Sequence, residues 1–150
     1  MIEPIELIEH DELCSLIPHS FDMCLLDRVE SWDENNITCY SNSHHLNTNP
    51  LRRNETLSSV HLLEYAAQAM AVHGGLHDRE QGVQMSEGYL AALRDVQIEL
   101  CNIEKLDSEL CIEASKLLYQ GGNMIYSFTV TAGENKLVSG RATVVAVSHN

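Results

Sequence analysis

Residues 57–76 read LSSVHLLEYAAQAMAVHGGL. After the first two turns Ala66, Ala67, Ala69, Met70, Ala71 and Val72 leave almost no polar face, so the stretch predicts a helix wrapped by other structure. Two polar groups nonetheless sit inside it, Glu64 and Gln68, one turn apart on one face. Desolvation penalises both, which makes them either internally satisfied structural groups or the seat of chemistry. The Gly74-Gly75 pair suits a helix stop and predicts one continuous helix over 57–74.

Upstream, residues 4–17 read as a short amphipathic helix, with Ile5, Leu7, Ile8, Leu13 and Leu16 as docking positions. Residues 23–32 and 37–42 read as strands on either side of the turn-prone Asp33-Glu34-Asn35-Asn36, and a polar irregular segment runs from 43 to 56. Downstream, four strands over 89–100, 110–119, 124–131 and 137–147 are separated by Asp107-Ser108, Gly121-Gly122-Asn123 and Gly133-Glu134-Asn135. In the third, Met124, Tyr126, Phe128 and Val130 alternate with Ile125, Ser127, Thr129 and Thr131, the period of a sheet with one buried face. The pattern is α+β. A curved antiparallel sheet around one long central helix, in a single domain over 1–150, satisfies all of it.

The chain has 150 residues, 44% hydrophobic and 21% charged, a globular composition with enough length to bury a core. Its net charge of −13, with only 9 basic residues, excludes general nucleic-acid binding, which depends on clustered Lys and Arg. No apolar stretch is long enough to span a bilayer, and the acidic start MIEPIELIEHDEL is unlike a secretory signal, so the expected location is cytoplasmic. Five cysteines, Cys14, Cys24, Cys39, Cys101 and Cys111, are scattered, odd in number and without CxxC spacing. They predict reduced, mostly buried thiols rather than a disulfide framework or a zinc knuckle.

Ile17-Pro18-His19 followed by Met23-Cys24-Leu25-Leu26-Asp27-Arg28-Val29 resembles the PHR-P-hydrophobic-DRV opening of bacterial 3-hydroxyacyl-acyl-carrier-protein dehydratases. Glu64 to Ala69 resembles their helix signature, E-x-x-A-Q-A. Over nearly the whole chain the sequence is more similar to the dehydratase-like components of aryl-polyene biosynthesis clusters in Gram-negative bacteria. The shared motifs are Ser43-His44 with Asn49-Pro50-Leu51-Arg52, then Glu64 to Gly74, then Gly88 to Ala91 with Arg94-Asp95-Val96. The resemblance implies a hot-dog fold. One departure stands out: the better-known dehydratases carry their histidine in a GHFPxxPxMPG loop fourteen residues before the carboxylate. Here Pro50 occupies that place, and His44 lies twenty residues before Glu64.

What the resemblance implies is removal of water from a 3-hydroxyacyl thioester in fatty-acid-like or aryl-polyene biosynthesis. That reaction needs a base at the α-carbon, an acid at the departing hydroxyl and polarisation of the carbonyl. By resemblance His44 is the base, competing with His45 and His61; Glu64 is the acid or water-positioning group, and Gln68 supports it. Ser59 stands where the family has glycine, and N–H groups around Ser58 and Ser59 at the helix start are expected to face the enolate oxygen. His19 reads as a structural loop residue.

No cofactor and no metal are expected. His73 and His77 are four apart, as two ligands on a helix face would be, but the glycine pair lies between them and no third ligand completes a site. The implied partners are an acyl carrier protein bearing a phosphopantetheine-linked chain, with Arg52 and Arg53 as its binding residues, and a second hot-dog subunit in a homodimer or heterodimer. Two other readings remain: a hot-dog acyl thioesterase, whose carboxylate directs water to the carbonyl, and a catalytically inactive partner subunit that keeps the fold. The rebuilt loop after His44 is the reason for the latter.

Overall fold

The computed structural model describes residues 7–17, 23–82, 87–120 and 123–147. Pro18, His19 and the Gly121-Gly122 turn lie outside the described residues, as do residues 4–6 of the expected first helix. Within them the chain opens with strand β1 (Ile8–Glu9) and helix α1 (His10–Ser15), so the expected helix over 4–17 is much shorter. Ile8 and Glu9 instead pair with Val29 and Arg28 of β2 (Arg28–Trp32). β3 (Asn36–Ser41) follows, then the central helix α2 (Leu62–Glu80), and finally β4 (Glu87–Ile98), β5 (Leu110–Gln120), β6 (Asn123–Ala132) and β7 (Asn135–Val147). One antiparallel sheet contains all seven strands in the order β1-β2-β3-β5-β6-β7-β4.

Helix α2 is enclosed as its composition predicts: no residue from Leu62 to Asp78 is exposed. It differs from expectation at both ends. A 3-10 turn over Ser59–His61 precedes it, capped where the Ser58 hydroxyl accepts from the Val60 N–H, and Gly74-Gly75 does not stop it. Each interior glycine costs about 1 kcal/mol of helix propensity, but packing against the sheet and the buried Gly75 and Leu76 carry the helix on to Glu80. The stop comes at Gly82, whose φ of +71° is the left-handed geometry that favours glycine.

The alternation along β6 holds: Tyr126, Phe128, Val130 and Ala132 are buried beneath α2 and between them lie half-buried residues. With Ile37, Cys39, Leu110, Ile112, Leu62, Tyr65, Ala69 and Val72 they form one core. The fold also brings α1 against the segment before β2, where Cys14 and Cys24 are joined in a disulfide. This corrects the expectation of five separate thiols; only Cys39, Cys101 and Cys111 are free. Ten residues of spacing hid a pair that the packing closes to a Cα–Cα distance of 5.8 Å.

Candidate active site

Gln68 is the pivot of the site. Although buried, it is satisfied at every turn: its carbonyl accepts from the Leu25 N–H (2.8 Å), and its amide donates to the Met23 carbonyl (2.6 Å) and to Glu64 Oε2 (3.2 Å). The backbone on either side of Cys24 therefore fixes the amide, and the amide fixes the carboxylate. Glu64 is half-buried on the first turn of α2, with Oε2 held by Gln68 and, among the described residues, no hydrogen-bond donor at the other oxygen.

Tyr65, the next residue, holds the upstream loop. Its hydroxyl lies 2.8 Å from Ser43 Oγ and accepts from Asn49 Nδ2 at 3.0 Å. The same Asn49 amide donates to the Ser43 carbonyl, and its Oδ1 receives the Leu51 N–H, which shapes the turn at Pro50. Ser41 and Ser43 both donate to the Leu25 carbonyl. Sequence reasoning assigned no role to Ser41, Ser43, Asn49 or Tyr65, although the last three lie inside the motifs that carry the resemblance. A polar residue repeated in a buried setting was the signal available.

His44 follows Ser43 in a 3-10 turn and is fully buried. Its Nε2 lies 3.1 Å from the Ser108 carbonyl, which only accepts, so that nitrogen carries the proton and Nδ1 keeps a lone pair. Among the described residues Nδ1 is buried without a partner. Burial, and then the neighbouring His45 charge, hold the imidazole below its ordinary value and keep it neutral. The His45 ring lies against it with centroids 3.9 Å apart and bonds to the Leu106 carbonyl. The 106–109 loop that receives both rings is itself anchored, because Arg28 clamps Glu109 with two nitrogens (2.7 and 3.2 Å).

Ser59 is buried and does not present its N–H to a ligand. That group donates to the Cys101 carbonyl (2.9 Å), while the hydroxyl donates to the Glu99 carbonyl and receives the Cys101 N–H. Ser58 and Asn102 form a short antiparallel bridge here, and the Val60 and His61 N–H groups go back to Ser58. The expected enolate donors at Ser59 are thus already engaged. Arg52 also turns inward: it donates to the Glu55 carbonyl and to that of His44 (3.1 and 3.0 Å) and so braces the loop. Arg53 is exposed and bonds to the Pro50 and Arg52 carbonyls. His61 is half-buried at the helix start.

Glu64 and Gln68 come together as expected. Among the described residues no hydrogen bond or ion pair joins His44 and Glu64; one is tied to the 106–109 loop and the other to Gln68. His73 has both nitrogens engaged, by Tyr126 Oη (2.7 Å) and the Asp33 carbonyl (2.8 Å), so it is not a ligand beside His77. It borders a separate cavity of about 440 Å³ under the C-terminal half of α2, lined also by Met70, Met124, Tyr126 and Val144.

Residues 12–150 match the model of the ApeP-like family, described as ApeP dehydratase. The chain belongs to the ApeP-like dehydratase family. It is therefore a hot-dog dehydratase-like protein of aryl-polyene biosynthesis. No curated protein matches it. Among solved structures, a chain of the dehydratase heterocomplex ApeI:P from Xenorhabdus doucetiae is similar, with a TM-score of 0.81 at 23% identity over 91% of each chain. An uncharacterised protein from Pyrococcus horikoshii gives 0.63 at 14% identity, covering 99% of this chain and 98% of its own. A hypothetical thioesterase with coenzyme A from Streptococcus pneumoniae gives 0.57 at 12%, covering 81% and 86%. What these three share with the ApeP-like chain is the hot-dog fold. No helix among the described residues is long and apolar enough to cross a membrane.

Proposed function

We propose that this ApeP-like chain dehydrates 3-hydroxyacyl thioesters carried by an acyl carrier protein, with His44 as base and Glu64 as acid. The observation that carries the reading is the Glu64 carboxylate, held at one oxygen by an amide that the backbone locks on both sides. His44 Nδ1, with its lone pair kept by the Ser108 bond, takes the α-proton. Glu64 gives a proton to the departing C3 hydroxyl and regains one from the imidazolium, so the products are a 2-enoyl thioester and water with both side chains restored.

The site is composite, the imidazole of one protomer working with the carboxylate of its partner. Two features support this: among the described residues nothing links the two groups within a protomer, and β4 ends the strand order with Leu90 and Leu93 exposed and no strand paired on its outer side. The partner is a second hot-dog protein, because the similar chain from Xenorhabdus doucetiae belongs to a heterocomplex, so His44 and Glu64 of this chain serve two separate sites, each completed by the counterpart group of the partner. One observation favours a second reading, in which this chain is the half that does not turn over: His44 is fully covered and the Ser59 N–H expected at an enolate is spent on the Cys101 carbonyl.

The test is mass spectrometry of a 3-hydroxyacyl carrier-protein thioester incubated with this chain alone, with a co-purified partner, and with that partner lacking its own catalytic carboxylate but keeping its imidazole. Loss of one water in the third mixture supports turnover at a site containing Glu64 of this chain. Loss only with the intact partner supports the scaffold, and release of free acid would replace both with a thioesterase.

Carrier docking falls to Arg53, since Arg52 is occupied in the loop. Arg53→Glu is expected to raise KM for the carrier-bound substrate roughly two- to tenfold at low salt. The effect should fade as salt rises and should be absent for a short pantetheine analogue. Equal effects on both substrates would remove Arg53 from the docking surface.

A further inference from the structure

We propose that the reduced chain binds a divalent ion of the zinc class through His10, Cys14 and Cys24, at a site that the Cys14–Cys24 disulfide closes. One ligand atom from each residue lies within 4.8 Å of the other two. His10 and Cys14 are one turn apart on α1 and share a face. Their Nε2 and Sγ are 3.4 Å apart, close to the roughly 3.6 Å edge of a tetrahedron with Zn–S about 2.3 Å and Zn–N about 2.0–2.1 Å. Once the bridge is reduced, the two sulfurs need to part only to about 3.8 Å to complete a face of that tetrahedron.

Other features fit an ion of this kind. Asp11 Oδ1 lies 3.4 Å from His10 Nδ1, a carboxylate–imidazole arrangement that turns Nε2 toward a metal. Two thiolates and an imidazole are the donor set that zinc prefers over calcium or magnesium. The His10 side chain is 47% exposed, so water has room for a fourth position. The redox step balances as two thiols giving up two protons and two electrons to form the bridge, while a small-molecule disulfide such as oxidised glutathione is reduced to two thiols. In a reducing compartment the dithiol form prevails and the ion replaces the bridge.

The place of the site gives it a consequence. Cys24 lies between Met23 and Leu25, whose backbone groups hold the Gln68 amide. Bridge and ion alike tie that strap to α1, so each state keeps Gln68, and through it Glu64, in position.

The test needs no assay of turnover and so stands apart from the dehydratase reading. The untagged full chain, reduced with a phosphine, is titrated with zinc against a chromophoric chelator. We expect one zinc per chain, no binding by the oxidised chain or by Cys14→Ser and Cys24→Ser, and at least tenfold weaker binding by His10→Ala. In the wild-type chain, where folding of a variant is not at issue, zinc should protect Cys14 and Cys24 from iodoacetamide and leave Cys101 as reactive as before. Absence of stoichiometric zinc in the reduced chain, or zinc bound while Cys14 and Cys24 alkylate at the unprotected rate, overturns the proposal.

Discussion

Glu64→Gln is expected to fold like the wild type and to lose about 10²–10⁴-fold of the dehydration rate, the range that a positioned acid or base contributes. The structure explains why the two effects separate. Glu64 receives one hydrogen bond, from Gln68 Nε2 at 3.2 Å, and the carbonyl oxygen of a glutamine at 64 accepts the same bond. Gln68 keeps its bonds to Leu25 and Met23 in either case. What the amide cannot supply is a proton for the leaving hydroxyl. Thermal melting with kcat for a carrier-bound 3-hydroxyacyl chain checks both halves. A variant that melts far below the wild type would make Glu64 a structural anchor; one that turns over normally would take it out of the chemistry.

The fold was legible where apolar character repeats. An all-round apolar helix and a strand alternating at Met124 to Thr131 leave few arrangements other than a sheet curved around a helix, and α2 and β6 lie there. Local rules misled where tertiary packing outweighs them. Gly74-Gly75 reads as a stop, but burial of the neighbouring turns exceeds the cost of two glycines, and the helix runs on to Glu80, two residues before Gly82. The Cys14–Cys24 pair was invisible because it depends on α1 docking against the segment before β2, a packing that ten residues of spacing do not encode.

The candidate site divides the same way. Glu64 and Gln68 were readable because four residues on a helix fix their neighbourhood. The network from Tyr65 to Ser43 and Asn49 was not, since contacts across 22 and 16 residues carry no local period. Ser59 shows the limit of motif transfer. Its position matches a backbone donor of the family, but its N–H is spent on Cys101, a partner supplied by a segment whose path the motif does not encode.

The second large effect is expected at His44, and its buried setting dictates how to look for it. His44→Ala removes the ring from a closed site and the bond to Ser108, so lost folding would obscure lost chemistry. His44→Gln is the cleaner change, because its amide donates to the Ser108 carbonyl from nearly the same point and supplies no base. It should melt near the wild type and lose about 10²–10⁴-fold in rate, while His45→Gln and His61→Ala retain most activity. The pH profile separates His44 from its rivals. Its imidazole is held below the ordinary 6.5, first by burial and then by the His45 charge, so the acidic limb of kcat/KM should fall at a pH under 6.5. Removing the His45 charge should shift that limb upward. The same depression works on stability: the unfolded chain binds the proton first, so the contribution of neutral His44 is present above about 6.5 and is lost as pH falls through the folded-state value. A His61→Ala chain that loses turnover while His44→Gln keeps it would move the base to the start of α2, where it stands three residues from Glu64 on the same helical entry.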